Sequence, residues 1–370
     1  MERSALVVGA TAAALYFLYK TSAKKAPMAV ALPSTMAAVA VRDKRCTLQP
    51  AWPTPAPKAG EVVIHVQATA INRLDCNQRM GKAPVPPGIT EILGLEAAGV
   101  IVGVGDGDVG GLVPGDEVMA LLPGGGYAEY AAVDAATVIR KPKALSWSAA
   151  ASIPEAWLTA FKLVHVVGQV AAGDVVLIHA AASGVGIAAT QLVVAAGATA
   201  LVTVGTREKL DMLVGEFGAV GGAVRHDGPW LDKITSLLPS GKKGVNIVLD
   251  PVASSYAQQN LDALAIDGKW VLYSLMSGPS INDETSKTFL AQLAKKRISL
   301  LATTLRTRPR PFKQQLVARF SNEVLPQIAD GRLRHVIDKQ FDTLGDAQAA
   351  HEYMESNAGS GKIVLNVVGQ

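Results

Sequence analysis

The stretch VVLIHAAASGVGIAATQL, residues 175–192, decides how the rest of this chain is read. Its first four residues are Val, Val, Leu and Ile, the composition of a strand buried on both faces. Small residues and a pair of glycines follow, and the chain then runs without a break into alanine-rich sequence ending near Gly197. Strand, tight turn and helix in that order form the unit that usually holds a dinucleotide pyrophosphate. Small side chains let the ligand approach the backbone, and free N–H groups at the helix start favour its negative charge. The turn departs from the full G-x-G-x-x-G fingerprint, presenting Ala181, Ser183 and Gly186 with Gly184 beside them. It reads first as a nicotinamide or flavin nucleotide site and second as an ordinary strand-to-helix turn.

Downstream, strand-like runs alternate with helical ones: 175–179, 198–205, 223–226, 245–250, 269–275 and 298–305. Six such strands predict a doubly wound parallel sheet. Upstream, SIPEAWLTAFKLVHVVG (152–168) reads as a helix with Pro154 at its start. Before it the texture is β-rich. MAAVAVR (36–42) and EVVIHVQATAIN (61–72) read as strands separated by the proline-rich loop QPAWPTPAPKAG, and further short apolar runs are punctuated by glycine clusters, which predicts a compact barrel-like β domain. The tail reads as a long helix over 311–329, the segment HVIDKQFD, a helix over LGDAQAAHEYMESN and the strand KIVLNVV. It is too small for a domain of its own and is expected to pack back on the first one. The divisions are 1–35, an extension; 36–154, a β-rich catalytic domain; 155–305, a Rossmann domain; and 306–370, the return.

The body of the chain is globular in composition, with 49% hydrophobic and 18% charged residues. Of its formal charge of +4, residues 1–35 carry +3, from Arg3, Lys20, Lys24 and Lys25 against Glu2. The remainder is nearly neutral, which with 5% aromatics gives no case for nucleic acid. Cys46 and Cys76 are too few for a disulfide scaffold or a four-thiolate zinc site. Residues 5–19, ALVVGATAAALYFLY, are uncharged and followed by a lysine cluster. As helix they span about 22 Å against a hydrocarbon core of about 30 Å. Signal-peptide core, short signal anchor and organelle presequence all fit. The lysines favour an anchor that leaves the body facing the cytosol. A cleaved presequence leading to a mitochondrion or another organelle, and a plain cytoplasmic protein, are the alternatives.

Beyond the second strand of a dinucleotide unit, NAD-binding proteins place an Asp or Glu for the ribose 2′-hydroxyl. Here Gly205 and Thr206 stand at that place, followed by Arg207 and Lys209. Thr206 can hydrogen-bond a 2′-phosphate and the cations can pair with it, which predicts NADPH.

The stretches NRLDCNQRMG, GITEILGLEAAG, ALLPGGGYAEY, IPEAWLTAF, IHAAASGVG, WVLYSLMSG and GKIVLNV together carry a family resemblance. From Met36 to about Val367 the chain resembles the zinc-free medium-chain dehydrogenase/reductases, and among them the NADPH quinone oxidoreductases of the tumour-suppressor-inducible type. The resemblance implies a GroES-like catalytic domain, a Rossmann domain and a cleft between them. It puts Thr159 near the nicotinamide, the turn Ala182, Ser183, Gly184, Val185 and Gly186 on the pyrophosphate, and Gly205, Thr206 and Lys209 at the 2′-phosphate. It runs Tyr273, Ser274 and Met276 along the cofactor, closes Lys362 over it, and places Asn72, Asp75 and Arg306 at the substrate end. A homodimer through the edge of the Rossmann sheet is also implied.

Three departures from the family pattern matter. Leu95 stands in Gly94-Leu95-Glu96 where zinc-dependent relatives carry a ligand histidine, so no zinc cage is expected. Ala83 stands where quinone and enoyl-thioester reductases of the family commonly have a tyrosine. Val224 and Arg225 replace a frequent Asn-Tyr pair, and Arg225 can serve the phosphate end as a cation. The function expected is NADPH-dependent hydride transfer to a quinone, with a hydrogen-bond donor such as Asn72 at the acceptor and no residue declaring itself a general acid. Reduction of an enal or enone double bond is the second expectation. A non-catalytic NADPH-binding or RNA-binding protein is the alternative of another class.

Overall fold

The computed structural model describes residues 32–367. The first half is built on β1 (Thr35–Arg42), β2 (Arg45–Pro53), β3 (Glu61–Ile71), β4 (Glu96–Val104), β5 (Glu117–Leu121), β6 (Tyr130–Asp134) and β7 (Val138–Arg140). Strand β3 is its axis. It has β4 along one side, while its other side is shared by β6 against residues 61–65 and by a strand from the end of the chain against residues 68–71. Strand β2 occupies part of the segment read as a proline-rich loop. Pro50 is tolerated there because β2 pairs only with β1 and the register slips between Met36 and Ala38, opposite that proline.

The second sheet holds β8 (Val175–Ile178), β9 (Thr199–Val204), β10 (Gly221–Val224), β11 (Val245–Asp250), β12 (Leu264–Leu272) and β13 (Ser299–Ala302) in the order β10-β9-β8-β11-β12-β13, all parallel. This is the doubly wound dinucleotide-binding order, with its reversal between β8 and β11. All four residues of β8 are buried, as a central parallel strand requires. Strand β12 begins and ends earlier than its apolar pattern suggests, so Tyr273 and Ser274 fall in the loop beyond it.

Helix Pro154–Phe161, followed by a π-helical segment Lys162–Val167, lies in the apolar core that joins the two sheets. The expected helix over 311–329 is two, Arg310–Glu323 and Leu325–Ala329. The second has Pro326 in its first turn, where the missing N–H is tolerated but would interrupt a continuing helix. The chain closes with β14 (Ile337–Phe341), helix Ala347–Ser356 and β15 (Lys362–Asn366). Strand β15 lies antiparallel to β3 with Ile363 opposite Ile71, and β14 lies parallel to β15. That register brings Lys362 beside Asn72, and it fixes the site described below.

No helix among the described residues is long and apolar enough to cross a membrane. The expectation of a membrane-anchored protein with a cytosol-facing body is corrected accordingly. It rested on residues 5–19, whose length as helix falls short of a bilayer core and which lie outside the described residues.

Candidate active site

Strand β8 ends beneath the turn that organises the site. Ala181 N donates to Thr203 O at 3.1 Å and so ties the turn to β9. The Ser183 side chain then accepts from Gly186 N at 3.1 Å, capping helix Gly184–Ala195. At the first helical positions Gly184 and Val185 have no carbonyl one turn back, so their N–H groups stand at the positive end of the helix dipole. Ser183, Gly184 and Val185 line a cleft of about 530 Å³. Gly186 lies behind it. A Cβ there would sit 2.5 Å from Ala181 Cα, so glycine is what lets the helix close onto its strand. Gly186→Ala is expected to cost about 1–3 kcal/mol through overpacking against backbone. Urea denaturation measures this, and a loss below about 0.5 kcal/mol would mean the turn relaxes freely.

Two cations and one carboxylate stand at the outer end of the cleft. Gly205 follows β9 without a side chain, and a Cβ built on it would meet Arg225 Nε at 3.8 Å. Lys209 and Arg225 both line the cleft, and Lys209 Nζ donates to Asn357 O at 2.7 Å. Burial lowers the Lys209 pKa, the Asp338 carboxylate opposes that shift and Arg225 adds to it. Thr206 does not line the cleft. It caps helix Arg207–Phe217, accepting from Lys209 N at 3.4 Å. Asp338, which sequence reasoning missed, also lines the cleft, where it accepts from Tyr353 Oη at 2.8 Å and Ser360 N at 2.9 Å.

The loops after β11 and β12 form the remaining wall with Pro251, Val252, Tyr273, Ser274 and Met276. The lining thus gathers the carboxyl ends of β8, β9, β11 and β12 around the point where strand order reverses, the place where such sheets bind ligands.

At the inner end the return strand meets the turn. Gly361 N donates to Ala182 O at 2.8 Å, and Lys362 follows directly. Its ammonium donates to Glu96 Oε1 at 2.7 Å, Asn72 Oδ1 at 2.7 Å and Ile71 O at 3.0 Å. Asn72 Nδ2 donates in turn to Glu96 Oε1 at 2.8 Å and Ala70 O at 3.3 Å. Asn72 and Lys362 line the cleft, but Asn72, the donor expected at an acceptor, is engaged with Glu96 and with Lys362, the residue expected to close over the cofactor. Asp75 is buried away from the lining. Its carboxylate accepts from Asn72 N at 2.8 Å and Gly94 N at 3.1 Å, and burial raises its pKa to about 6 against the pull of those two bonds. Arg306 also lies off the lining, donating to Pro123 O and to Gln78 Oε1, both at 2.9 Å.

Thr159 is nearly buried, with Oγ1 at 3.5 Å from Glu155 Oε1. Glu155 N donates to Glu96 Oε2 at 2.8 Å, which joins this helix to the Lys362 cluster. Burial, the largest cause, and the Glu96 charge raise the Glu155 carboxyl to about 7. Glu96 and Glu155 were both missed by sequence reasoning. Glu96 sat in a motif read only for Leu95, and Glu155 looked like an ordinary acid in a first helical turn.

Leu95 is buried, and among the described residues no three His, Cys, Asp or Glu side chains are grouped so as to hold a metal ion. Residues 58–143 match the family model described as alcohol dehydrogenase GroES-like domain, and residues 232–365 match zinc-binding dehydrogenase. The chain is 30% identical over 312 residues to quinone oxidoreductase of Sus scrofa, covering 84% of this chain and 90% of that protein. It is 31% identical over 310 residues to highly-reducing polyketide synthase 1 of Aureobasidium melanogenum, covering 82% of this chain but only 13% of that much longer protein. Among solved structures, JamJ enoyl reductase in its apo form superposes with a TM-score of 0.78 at 25% identity, over 90% of this chain and 100% of that one. With a GroES-like unit and an NAD(P)-binding Rossmann sheet sharing one cleft, and Leu95 in the ligand position, this oxidoreductase belongs to the medium-chain dehydrogenase/reductase family, in its zinc-free branch of quinone-oxidoreductase type.

Proposed function

We propose that the chain is an NADPH-dependent oxidoreductase that delivers a hydride to a quinone without using a metal. The observation that carries the cofactor choice is the meeting of Lys209 and Arg225 at the outer end of the cleft, with Gly205 rather than an acid at the end of β9. An acid there would repel a 2′-phosphate, whereas two cations pair with it. The turn fits the pyrophosphate, since Gly184 and Val185 offer amides and a Cβ on Gly184 would meet Lys362 Cδ at 2.7 Å. When bound, the dihydronicotinamide supplies the hydride. The protein's own work is to orient both reactants: the turn holds the pyrophosphate, the 273–276 loop flanks the cofactor, and the Lys362–Glu96–Asn72 cluster fixes the inner wall.

NADPH oxidation measured with several ortho- and para-quinones, with and without a chelator, tests this. Chelator-resistant turnover is expected. Chelator-sensitive turnover, or none with any quinone, would sink it. An activated carbon–carbon double bond is the second acceptor class, favoured by the Glu155 carboxyl, because carbon protonation needs an acid more than quinone oxygens do. Relative turnover of an enone and a quinone separates the two. A homodimer along the open edge of β13, where Leu300 is 40% exposed, belongs to the same proposal and is checked by sedimentation.

A further inference from the structure

Two parts of the chain line the outer end of the cleft. One is the Rossmann sheet, which presents Gly205, Lys209 and Arg225. The other is the return of the chain, which presents Asp338 on β14 and the short segment 357–361 that leads into β15. That segment is tied down along its length. Lys209 Nζ donates to Asn357 O at 2.7 Å, Ser360 N donates to Asp338 Oδ1 at 2.9 Å, and Gly361 N donates to Ala182 O at 2.8 Å. The Lys209 ammonium and the Asp338 carboxylate are therefore anchored to the same few residues of backbone. Burial lowers the Lys209 pKa, and Asp338 and Arg225 are the two charges that act on it, in opposite directions.

Asp338 is exposed, and its Oδ2 accepts from Tyr353 Oη at 2.8 Å. A carboxylate has about four lone-pair sites, and the two bonds take one on each oxygen. Gly359 leaves the group its room, since a Cβ there would run into Asp338 Oδ2. Holding the segment in place does not require a charge. An amide of the same shape would accept from Ser360 N and donate to Tyr353 Oη.

We propose that Asp338 is a second determinant of cofactor choice: its charge opposes a 2′-phosphate, and its oxygens accept from the ribose 2′-hydroxyl of a cofactor that lacks the phosphate. This rests on the NADPH reading above and deepens it. From the return strand, Asp338 does what an acid at the end of the second strand does in NAD-binding proteins. Beside Lys209 and Arg225 it does not reverse their preference; it narrows it. Discrimination is a difference of affinities, so a group that repels one ligand and binds the other moves it twice.

The test compares Kd of NADPH and NADH, from cofactor fluorescence at low and high salt, for the wild type, D338N and Y353F. Asparagine keeps the shape and both hydrogen bonds and removes the charge. D338N is expected to bind NADPH about threefold more tightly, the worth of one exposed charge pair, and NADH about fivefold more weakly, the worth of one hydrogen bond. The ratio of the two constants then shifts about tenfold further toward NADPH, and the NADPH part of the change shrinks as salt is added. Y353F takes one bond from the carboxylate but leaves its charge, and should keep the ratio within about twofold. A second arm uses the wild type alone and decides the matter should D338N fail to fold: ADP should compete with NADPH about fivefold better than 2′-deoxy-ADP. A ratio that D338N leaves in place or moves toward NADH, a change in Y353F as large as that in D338N, or equal competition by ADP and 2′-deoxy-ADP overturns the inference while the NADPH reading stands. A wild type that binds NADPH no more tightly than NADH overturns that reading and the inference with it.

Discussion

Lys362→Met is expected to lower the free energy of unfolding by about 3–5 kcal/mol, the usual cost of stranding one partner of a buried ion pair. Glu96 is fully buried, and Lys362 meets its carboxylate at 2.7 Å while holding Asn72 and the Ile71 carbonyl as well. Methionine fills similar volume but leaves Glu96 charged, dry and without its cation. The added change Glu96→Gln should recover much of the loss. Both charges are then gone, and the amide oxygen still accepts from Asn72 Nδ2 or Glu155 N. Urea denaturation of the single and double variants measures this. A single-variant loss under about 1 kcal/mol, or a double variant no better than the single one, would mean the pair is not what holds the inner wall. The consequence reaches function because β15 touches the pyrophosphate turn through Gly361, so loosening Lys362 loosens the turn.

The second large effect concerns the cofactor. Lys209→Glu is expected to weaken NADPH by about 10–100-fold, the worth of one charge-assisted hydrogen bond to a phosphate, and to leave NADH within a few-fold. Lys209 and Arg225 share this end of the cleft, so Arg225→Gln should act in the same direction, more weakly because it removes a positive charge without adding a negative one. Equilibrium binding of both cofactors, at two salt concentrations, is the measurement. Equal effects on NADPH and NADH would show that the lysine serves the helix or its bond to Asn357 rather than a 2′-phosphate.

Much of the Rossmann unit is legible without coordinates because its signals are local. An uninterrupted apolar tetrad is a strand buried on two faces, and a turn of small residues is a place where backbone meets ligand. The positions of Ser183, Gly184 and Val185 on the cleft follow from that pattern alone, as do Gly205 and Lys209 one strand later. Local reading misjudged where long-range partners decide. Thr206 looked like a phosphate contact but serves as a helix cap, since a threonine in that place bonds its own chain at no cost in reach. Asp75, which the resemblance put at the substrate end, is buried off the cleft lining and accepts from Asn72 and Gly94. Asp338 and Tyr353 reach the cleft only because β14 and the helix after it fold back beside the turn.

By itself, then, the sequence determined the alternation of strands and helices, the dinucleotide turn, the missing acid beyond β9 and the leucine where a zinc ligand would stand. The first two are properties of residues near one another in the chain, where periodicity and steric size suffice; the leucine's meaning came from the family resemblance. The tertiary structure alone decided the inner wall, where Asn72, Glu96 and Lys362 come within hydrogen-bonding distance across as many as 290 positions of chain. It also decided that Glu155 is tied through its backbone to Glu96, a residue of β4 59 positions away. Burial and neighbouring charge set whether a carboxyl is an ordinary surface acid or a held proton, and neither can be read from spacing.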